Sequence, residues 1–127
     1  MRSLARTDAG GRSTCYLLIS DDARSLTAVN HWDARVCVLP LAPDGAVGPV
    51  AHTDARPSAN YVESGHRPDR AEHWAYRQRW PHTHCAVTAP PALAGADAAR
   101  RYFYVCDLGL DAIVQYRHDP GYLCHSG

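Results

Sequence analysis

The chain has 127 residues and a formal net charge of zero, because 13 arginines balance 13 acidic residues and lysine is absent. This length holds one small domain, and the neutral balance excludes the broad basic surface on which nucleic-acid binding normally relies. Hydrophobic residues make up 46% of the chain and charged residues 20%, which favours a packed core. The apolar runs are far shorter than the roughly 20 residues of a membrane-spanning helix. We therefore expect a folded domain with no nucleic-acid partner and no membrane segment.

Short apolar runs bounded by turn residues dominate the chain, and this pattern is typical of β-strands rather than helices. Turn-forming residues separate the runs at positions 21–23, 43–45 and 108–111. The sequence predicts an all-β fold of antiparallel hairpins. In chain order the predicted strands are residues 15–20, 25–30, 35–41, 49–52, 84–89, 101–107 and 112–117.

Polar stretches set the predicted boundaries of the domain. Residues 1–12 are predicted to be an N-terminal tail, residues 13–118 the domain, and residues 119–127 a C-terminal tail. Within the domain, residues 53–82 are rich in charge and histidine, and we interpret them as one long loop. A loop of this length inside a compact domain is usually functional or disordered.

The cysteines indicate a cellular compartment. There are five, an odd number, and none forms a Cys-x-x-Cys pair. The first residues of the chain also lack the apolar core of a secretory signal. Unpaired cysteines in apolar runs typically behave as small buried hydrophobic residues in a reducing compartment. We therefore expect a cytoplasmic protein.

Two segments of the chain share one pattern. Residues 25–41 and residues 100–117 each contain an apolar strand, a tight turn that includes an aspartate, and a second apolar strand. The first strand of each segment ends in a polar residue, Asn30 or Asp107, whose side chain is expected to accept hydrogen bonds from turn amides. Two copies of such a unit favour blades of a β-propeller.

The second of these segments, ARRYFYVCDLGLDAIVQYR, resembles the strand–turn–strand signature of the lactonase-type seven-bladed β-propellers. That family includes 6-phosphogluconolactonases and carboxymuconate cyclases. The upstream segment RQRWPHTHC (77–85) is similar to the RQ…PHxHS segment of the family, and residues 25–48 resemble its preceding blade, which carries an alanine–asparagine–tyrosine turn. The resemblance implies that residues 13–118 form about two of the seven blades, and that the remaining blades are missing from this chain.

The segment PHTHC contains the main catalytic candidate. His82 and His84 are two residues apart at the start of a predicted strand, so their side chains are expected on one face. By the resemblance, His84 matches the histidine proposed as the catalytic acid or base in the carboxymuconate cyclases. A histidine suits that role because its ordinary pKa lies near working pH. The alternative is that His84 only hydrogen-bonds a carbonyl inside the channel.

The resemblance also supplies substrate-binding candidates. Arg77 and Gln78 match the RQ pair, and a guanidinium near the mouth of the channel suits a phosphate or a carboxylate, which it binds bidentately. Gln78 and His82 are expected to add hydrogen bonds to the substrate. The alternative for Arg77 is a place on a solvated loop.

A metal site is the competing interpretation of the same segment. His82, His84 and Cys85 are ligand types that zinc prefers. However, the paired short spacings of structural zinc sites are absent, and strand alternation is expected to place Cys85 and His84 on opposite faces. The chain also has no Gly-rich nucleotide loop. We therefore expect neither a metal nor a cofactor.

The resemblance implies a 6-phosphogluconolactonase-like hydrolase of carbohydrate metabolism. Its substrate would be a small molecule, a sugar lactone or a phosphosugar lactone, which a base-activated water opens to the hydroxy acid. Two alternatives stay open. One is a lactonising enzyme like the carboxymuconate cyclases, and the other is a truncated, non-catalytic propeller that serves as an interaction module.

Overall fold

The computed structural model describes residues 5–55, 80–90, 101–119 and 122–125. These residues form two four-stranded antiparallel sheets, in the orders β1-β2-β3-β4 and β5-β6-β7-β8. The strands are β1 (Thr14–Ile19), β2 (Ser25–Asn30), β3 (Arg35–Pro40), β4 (His52–Ala55), β5 (Thr83–Thr88), β6 (Arg101–Asp107), β7 (Ala112–Asp119) and β8 (Tyr122–His125). In the described part of the chain there is no helix, so none is long enough to cross a membrane. The predicted all-β fold of antiparallel hairpins is confirmed.

The two outermost strands are the ones that the sequence misplaced. The strand predicted at 49–52 lies instead at His52–Ala55, and Tyr122–His125 was not predicted as a strand. The predicted C-terminal tail, 119–127, therefore contains a strand, and the predicted loop, 53–82, begins inside β4 and ends at the start of β5. The reason is physical: β4 is a polar edge strand held to β3 by backbone pairing, so it lacks the apolar pattern by which strands are recognised.

The predicted N-terminal tail also packs against the fold. Ala9 contacts the outer face of the first sheet, together with Val47 and Val50, and covers a buried cluster there: Ala28, Cys37 and Leu39. The carbonyl oxygen of Gly10 accepts a hydrogen bond from Arg35 Nη1 at 3.2 Å. Residues near the end of the predicted tail are thus part of the domain, because the apolar outer face of the sheet needs a cover.

The main core lies between the two sheets. It is formed by seven buried residues, three from the first sheet and four from the second: Val29, Val36, Val38, Ala86, Phe103, Val105 and Tyr116. The rings of Phe103 and Tyr116 stack with centroids 5.0 Å apart. The Tyr116 hydroxyl donates to Asp54 Oδ2 at 2.8 Å, which joins β7 to β4 of the other sheet. This core fixes the two sheets face to face.

A bulge interrupts the first strand of each sheet at the same place. The pairing of β1 with β2 shifts just after Thr14, and the pairing of β5 with β6 shifts just after Thr83. The shifts leave Cys15 and His84 without a cross-strand partner. A bulge bends the strand and redirects the side chain that it carries, so these two residues are structural equivalents.

The turn after the second strand is also repeated. It follows Asn30 in the first sheet and Asp107 in the second, and its last residue has a left-handed backbone, with φ 51° at Ala34 and 52° at Asp111. The equivalent of Asp111 is therefore Ala34 and not the neighbouring Asp33. Asp33 instead accepts a hydrogen bond from the backbone of the N-terminal segment.

Candidate active site

The bulges of β1 and β5 bring the first strands of the two sheets into contact. The Cys15 thiol donates to the carbonyl oxygen of His84 at 3.1 Å and lies 3.7 Å from that of Thr83. Burial raises the pKa of Cys15, which keeps it a thiol donor. This contact places the start of β5 beside the turn that follows β2, where the candidate site lies.

Three imidazole rings meet at that point. His31, the first residue after β2, stacks on His82 with ring centroids 4.7 Å apart and planes 18° apart. His84 meets His31 edge-on, with centroids 5.9 Å apart and planes 87° apart. The indole of Trp32 lies against His31 and His82 at 5.1 and 5.4 Å. His82 is buried in this cluster, whereas His84 is exposed, so His84 is the more open of the two to a water molecule or a ligand.

Asp107 holds the backbone on which His82 lies. Its Oδ1 accepts hydrogen bonds from the amides of His82, Gly109 and Leu110 at 2.8, 3.0 and 3.1 Å. The amide of Leu108 donates in turn to the carbonyl oxygen of His82 at 2.9 Å. This is the turn-stabilising role that the sequence predicted for the aspartate, whereas the same prediction for Asn30 was wrong, because the Oδ1 of Asn30 accepts from the Thr14 hydroxyl at 2.7 Å. Asp107 is 2% exposed, so it holds the backbone of the candidate site from the interior of the protein.

The hydrogen bonds of two rings assign their tautomers. His31 Nδ1 lies 3.2 Å from the carbonyl oxygen of Thr83, and His82 Nδ1 lies 3.1 Å from that of His31. A carbonyl oxygen only accepts, so each Nδ1 carries a proton, and in the neutral form of such a ring Nε2 is the acceptor. Burial lowers the pKa of His31, and the nearby His82 and His84 rings lower it further. His31 is therefore a neutral acceptor at neutral pH.

Two members of this cluster, His31 and Trp32, were not predicted from the sequence as site residues. His31 and Trp32 follow Asn30, at the place where the resembling family carries a tyrosine after asparagine, and that was the only signal for them. Among the predicted site residues, the structure brings His82 and His84 together, while Arg77 and Gln78 lie outside the described residues. No group of three or more histidine, cysteine or acidic side chains in the described part of the chain is arranged to hold a metal ion.

Comparison with known proteins decides the family. A family model described as a lactonase with a seven-bladed β-propeller matches residues 1–125. The chain belongs to this lactonase family. It is 27% identical over 121 residues to the 6-phosphogluconolactonase of Bacillus subtilis, a match that covers 92% of this chain and 28% of the relative.

Solved structures of lactonases agree with this assignment. The periplasmic gluconolactonase of Pseudomonas aeruginosa is 26% identical, with a TM-score of 0.56 over 82% of this chain and 24% of its own. A candidate 6-phosphogluconolactonase of Bacteroides fragilis is 25% identical, with a TM-score of 0.64 over 94% of this chain and 27% of its own. The chain thus spans about a quarter of the length of the lactonases that it matches.

Family membership gives the two sheets their place in a lactonase. They correspond to two successive propeller blades, as the resemblance implied, and blades of this kind surround a central channel. The first strands, β1 and β5, lie closer together than the last strands, β4 and β8, do, as expected of the inner strands of blades arranged radially around a channel. The histidine cluster therefore lies at one end of the inner strand β5.

Proposed function

We propose that this chain contributes a catalytic histidine cluster to a lactonase of the 6-phosphogluconolactonase type. The reaction is hydrolysis of a sugar lactone or phosphosugar lactone in carbohydrate metabolism. The observation that carries the proposal is the exposed His84, held in a bulge of the inner strand against the neutral ring of His31. The names of the relatives support the substrate class. The activity belongs to a propeller that contains these two blades together with others.

In the proposed reaction His84 is the general base. Its imidazole takes a proton from a water molecule while the water oxygen bonds to the lactone carbonyl carbon, and an oxyanion forms on the carbonyl oxygen. When the carbonyl re-forms, the bond to the ring oxygen breaks, and the imidazolium returns the proton to that oxygen. The product is a hydroxy acid. This acid–base chemistry needs no redox cofactor and no metal.

His31 has a supporting part in this reaction. A positive charge on a ring next to His84 would disfavour the imidazolium that His84 must form. Because burial lowers the pKa of His31, that ring stays neutral and adds no such repulsion. The indole of Trp32 packs against His31, which limits the orientations of the ring. His31 is thus a positioning residue for the base.

Binding of the substrate is proposed for Arg77, Gln78 and His82. A phosphate or carboxylate on the sugar would pair with the Arg77 guanidinium, and Gln78 would add a hydrogen bond. The stacked, buried ring of His82 limits it to a contact through Nε2. We further propose a cytosolic location, supported by the free thiols of Cys15, Cys37, Cys85 and Cys106. Fractionation of cells that express the chain tests the location.

A chimera tests the function. Residues 1–125 would replace the matching segment of the Bacillus subtilis 6-phosphogluconolactonase, which supplies the remaining blades. We expect the purified chimera to be folded by circular dichroism and to hydrolyse 6-phosphogluconolactone faster than the spontaneous reaction. If the chimera is folded but the lactone is hydrolysed no faster than in the spontaneous reaction, the proposal is overturned and a non-catalytic role is favoured. Formation of lactone from an unsaturated acid would instead favour the lactonising alternative.

A further inference from the structure

Two thiols of the second sheet face each other across neighbouring strands. Cys85 of β5 and Cys106 of β6 are paired in the antiparallel register, directly beside the bulge that carries His84. Because directly opposed residues of antiparallel strands point to the same face, the two side chains lie side by side on one face of the sheet. Cys106 is exposed and Cys85 is half-buried, so the pair is open to a reagent from solvent.

The geometry of this pair suits a covalent bond. Directly opposed residues of antiparallel strands have Cα atoms about 4.5–5.5 Å apart, and disulfides join Cα atoms about 4.4–6.8 Å apart. Such a pair therefore has its Cα atoms at a separation that a disulfide can join, and its Cβ atoms, about 4.5–5.5 Å apart, need only approach to the ~3.5–4.5 Å of a disulfide.

The other described thiols are engaged elsewhere. Cys15 lies 3.1 Å from the carbonyl oxygen of His84, to which it donates. Cys37 is fully buried, and its sulfur hydrogen-bonds to Thr53 Oγ1 at 3.5 Å. Cys85 and Cys106 are thus the two described thiols that the fold leaves available for a bond with each other.

We propose that Cys85 and Cys106 form a reversible disulfide across β5 and β6, with a small-molecule disulfide as the oxidant. The thiolate of the exposed Cys106 attacks the small molecule, whose S–S bond breaks, giving a mixed disulfide and one free small thiol. Cys85 then loses its proton and attacks the Cys106 sulfur, which releases the second small thiol. The two cysteines are oxidised by two electrons, and their protons end on the two small thiols.

In the structure the pair is the dithiol. Interaction with Cys85 raises the pKa of Cys106, and desolvation raises it further, so the attacking thiolate is the minor form at neutral pH and the exchange is slow. The bond would tie together the residues that follow His84 and precede Asp107, and so fix the bulge in place. This inference does not depend on the lactonase activity.

Disulfide mapping tests the pair directly. The 127-residue chain would be incubated with oxidised glutathione, quenched with acid, alkylated with iodoacetamide, digested with trypsin and analysed by mass spectrometry. Each of the five cysteines lies in a different tryptic peptide, with Cys85 in 80–100 and Cys106 in 102–117. We expect a linked 80–100/102–117 pair that disappears on reduction, and two fewer alkylated cysteines than in the reduced chain.

Variants and a denatured sample complete the test. Cys106→Ser should remove the linked pair without producing another one, whereas Cys15→Ser should leave it unchanged. The same incubation in urea should give a mixture of pairings. The proposal is overturned if the native chain gives that same mixture, if the main link joins Cys85 to Cys15 or Cys124, or if both Cys85 and Cys106 stay fully alkylated.

Discussion

Cys15 and His84 occupy equivalent bulges in successive blades, and the thiol of the first donates to the backbone carbonyl of the second at 3.1 Å. The same backbone feature therefore carries a structural donor in one blade and an exposed imidazole in the next. Because a bulge redirects the side chain that it carries, the identity of this one residue decides what chemistry a blade presents at its inner strand.

The first prediction concerns the proposed general base. In the chimera with the Bacillus subtilis lactonase, His84→Asn keeps the size of the side chain but removes the base. The turnover number should fall ~10²–10⁴-fold, the usual contribution of a general base. Initial rates would be corrected for spontaneous lactone hydrolysis at each substrate concentration.

His82→Asn is the matched control for that variant. His82 belongs to the same cluster but is buried and stacked on His31, so its loss should reduce turnover less than the loss of His84. If His82→Asn abolishes turnover while His84→Asn does not, the roles of the two histidines are exchanged. If both variants keep full activity, the cluster is structural.

The second prediction concerns His31 and pH. Burial lowers the pKa of His31 below its unfolded value, so the unfolded chain takes up this proton more readily than the folded one. His31 should therefore destabilise the fold as the pH falls below about 6.5, and its contribution should vanish above that value. Urea unfolding on both sides of this pH should show the loss of stability in the parent chain and a smaller loss in His31→Gln. An identical pH dependence in the two would contradict the prediction.

The third prediction concerns Asp107, the buried carboxylate that holds the backbone of the candidate site. Asp107→Ala leaves the amides of His82, Gly109 and Leu110 without their acceptor. The free energy of unfolding should fall by at least ~1–3 kcal/mol, the penalty for unpaired buried donors. Asp107→Asn keeps an accepting side-chain oxygen, so this variant should lose less. Equal losses for the two variants in urea titrations would refute the role of the acceptor oxygen.

The fourth prediction concerns the outer face of the second sheet. Ile113 is 72% exposed and Val87 60% exposed, and apolar residues on an uncovered sheet face promote association. The 127-residue chain should therefore self-associate in sedimentation velocity experiments, and Ile113→Lys should reduce the association. Ile19→Lys, at a 58% exposed position of β1, is the matched control and should reduce it less. A parent chain that sediments as a single monomeric species would contradict the prediction, because the apolar face would then stay exposed to solvent without causing association.

The sequence predicted those parts of the fold that depend on local pattern. β2 and β6 begin and end where expected, because each has apolar and β-branched residues next to a polar strand end. The edge strand β4 was misplaced because three of its four residues are polar. The four-residue β8 was missed because it follows the Asp-Pro-Gly turn signal at 119–121, in the segment interpreted as a tail. The site was predicted only in part: His84 came from the family resemblance, whereas the stacking of His31 on His82 joins residues 51 positions apart through the packing of two sheets. No local pattern contains that contact.

The two sheets contact each other through non-equivalent faces. The first sheet packs on the second through the face that contains Val29 and Val36, and the equivalent residues of the second sheet, Cys106 and Ile113, lie on its exposed face. Such a head-to-tail contact either closes into a ring or continues without end. On the far side of the first sheet, Ala9, Val47 and Val50 already occupy the corresponding surface. Further sheets therefore add at the exposed face of the second sheet, and the array becomes a closed ring only when its last sheet also packs against the far side of the first.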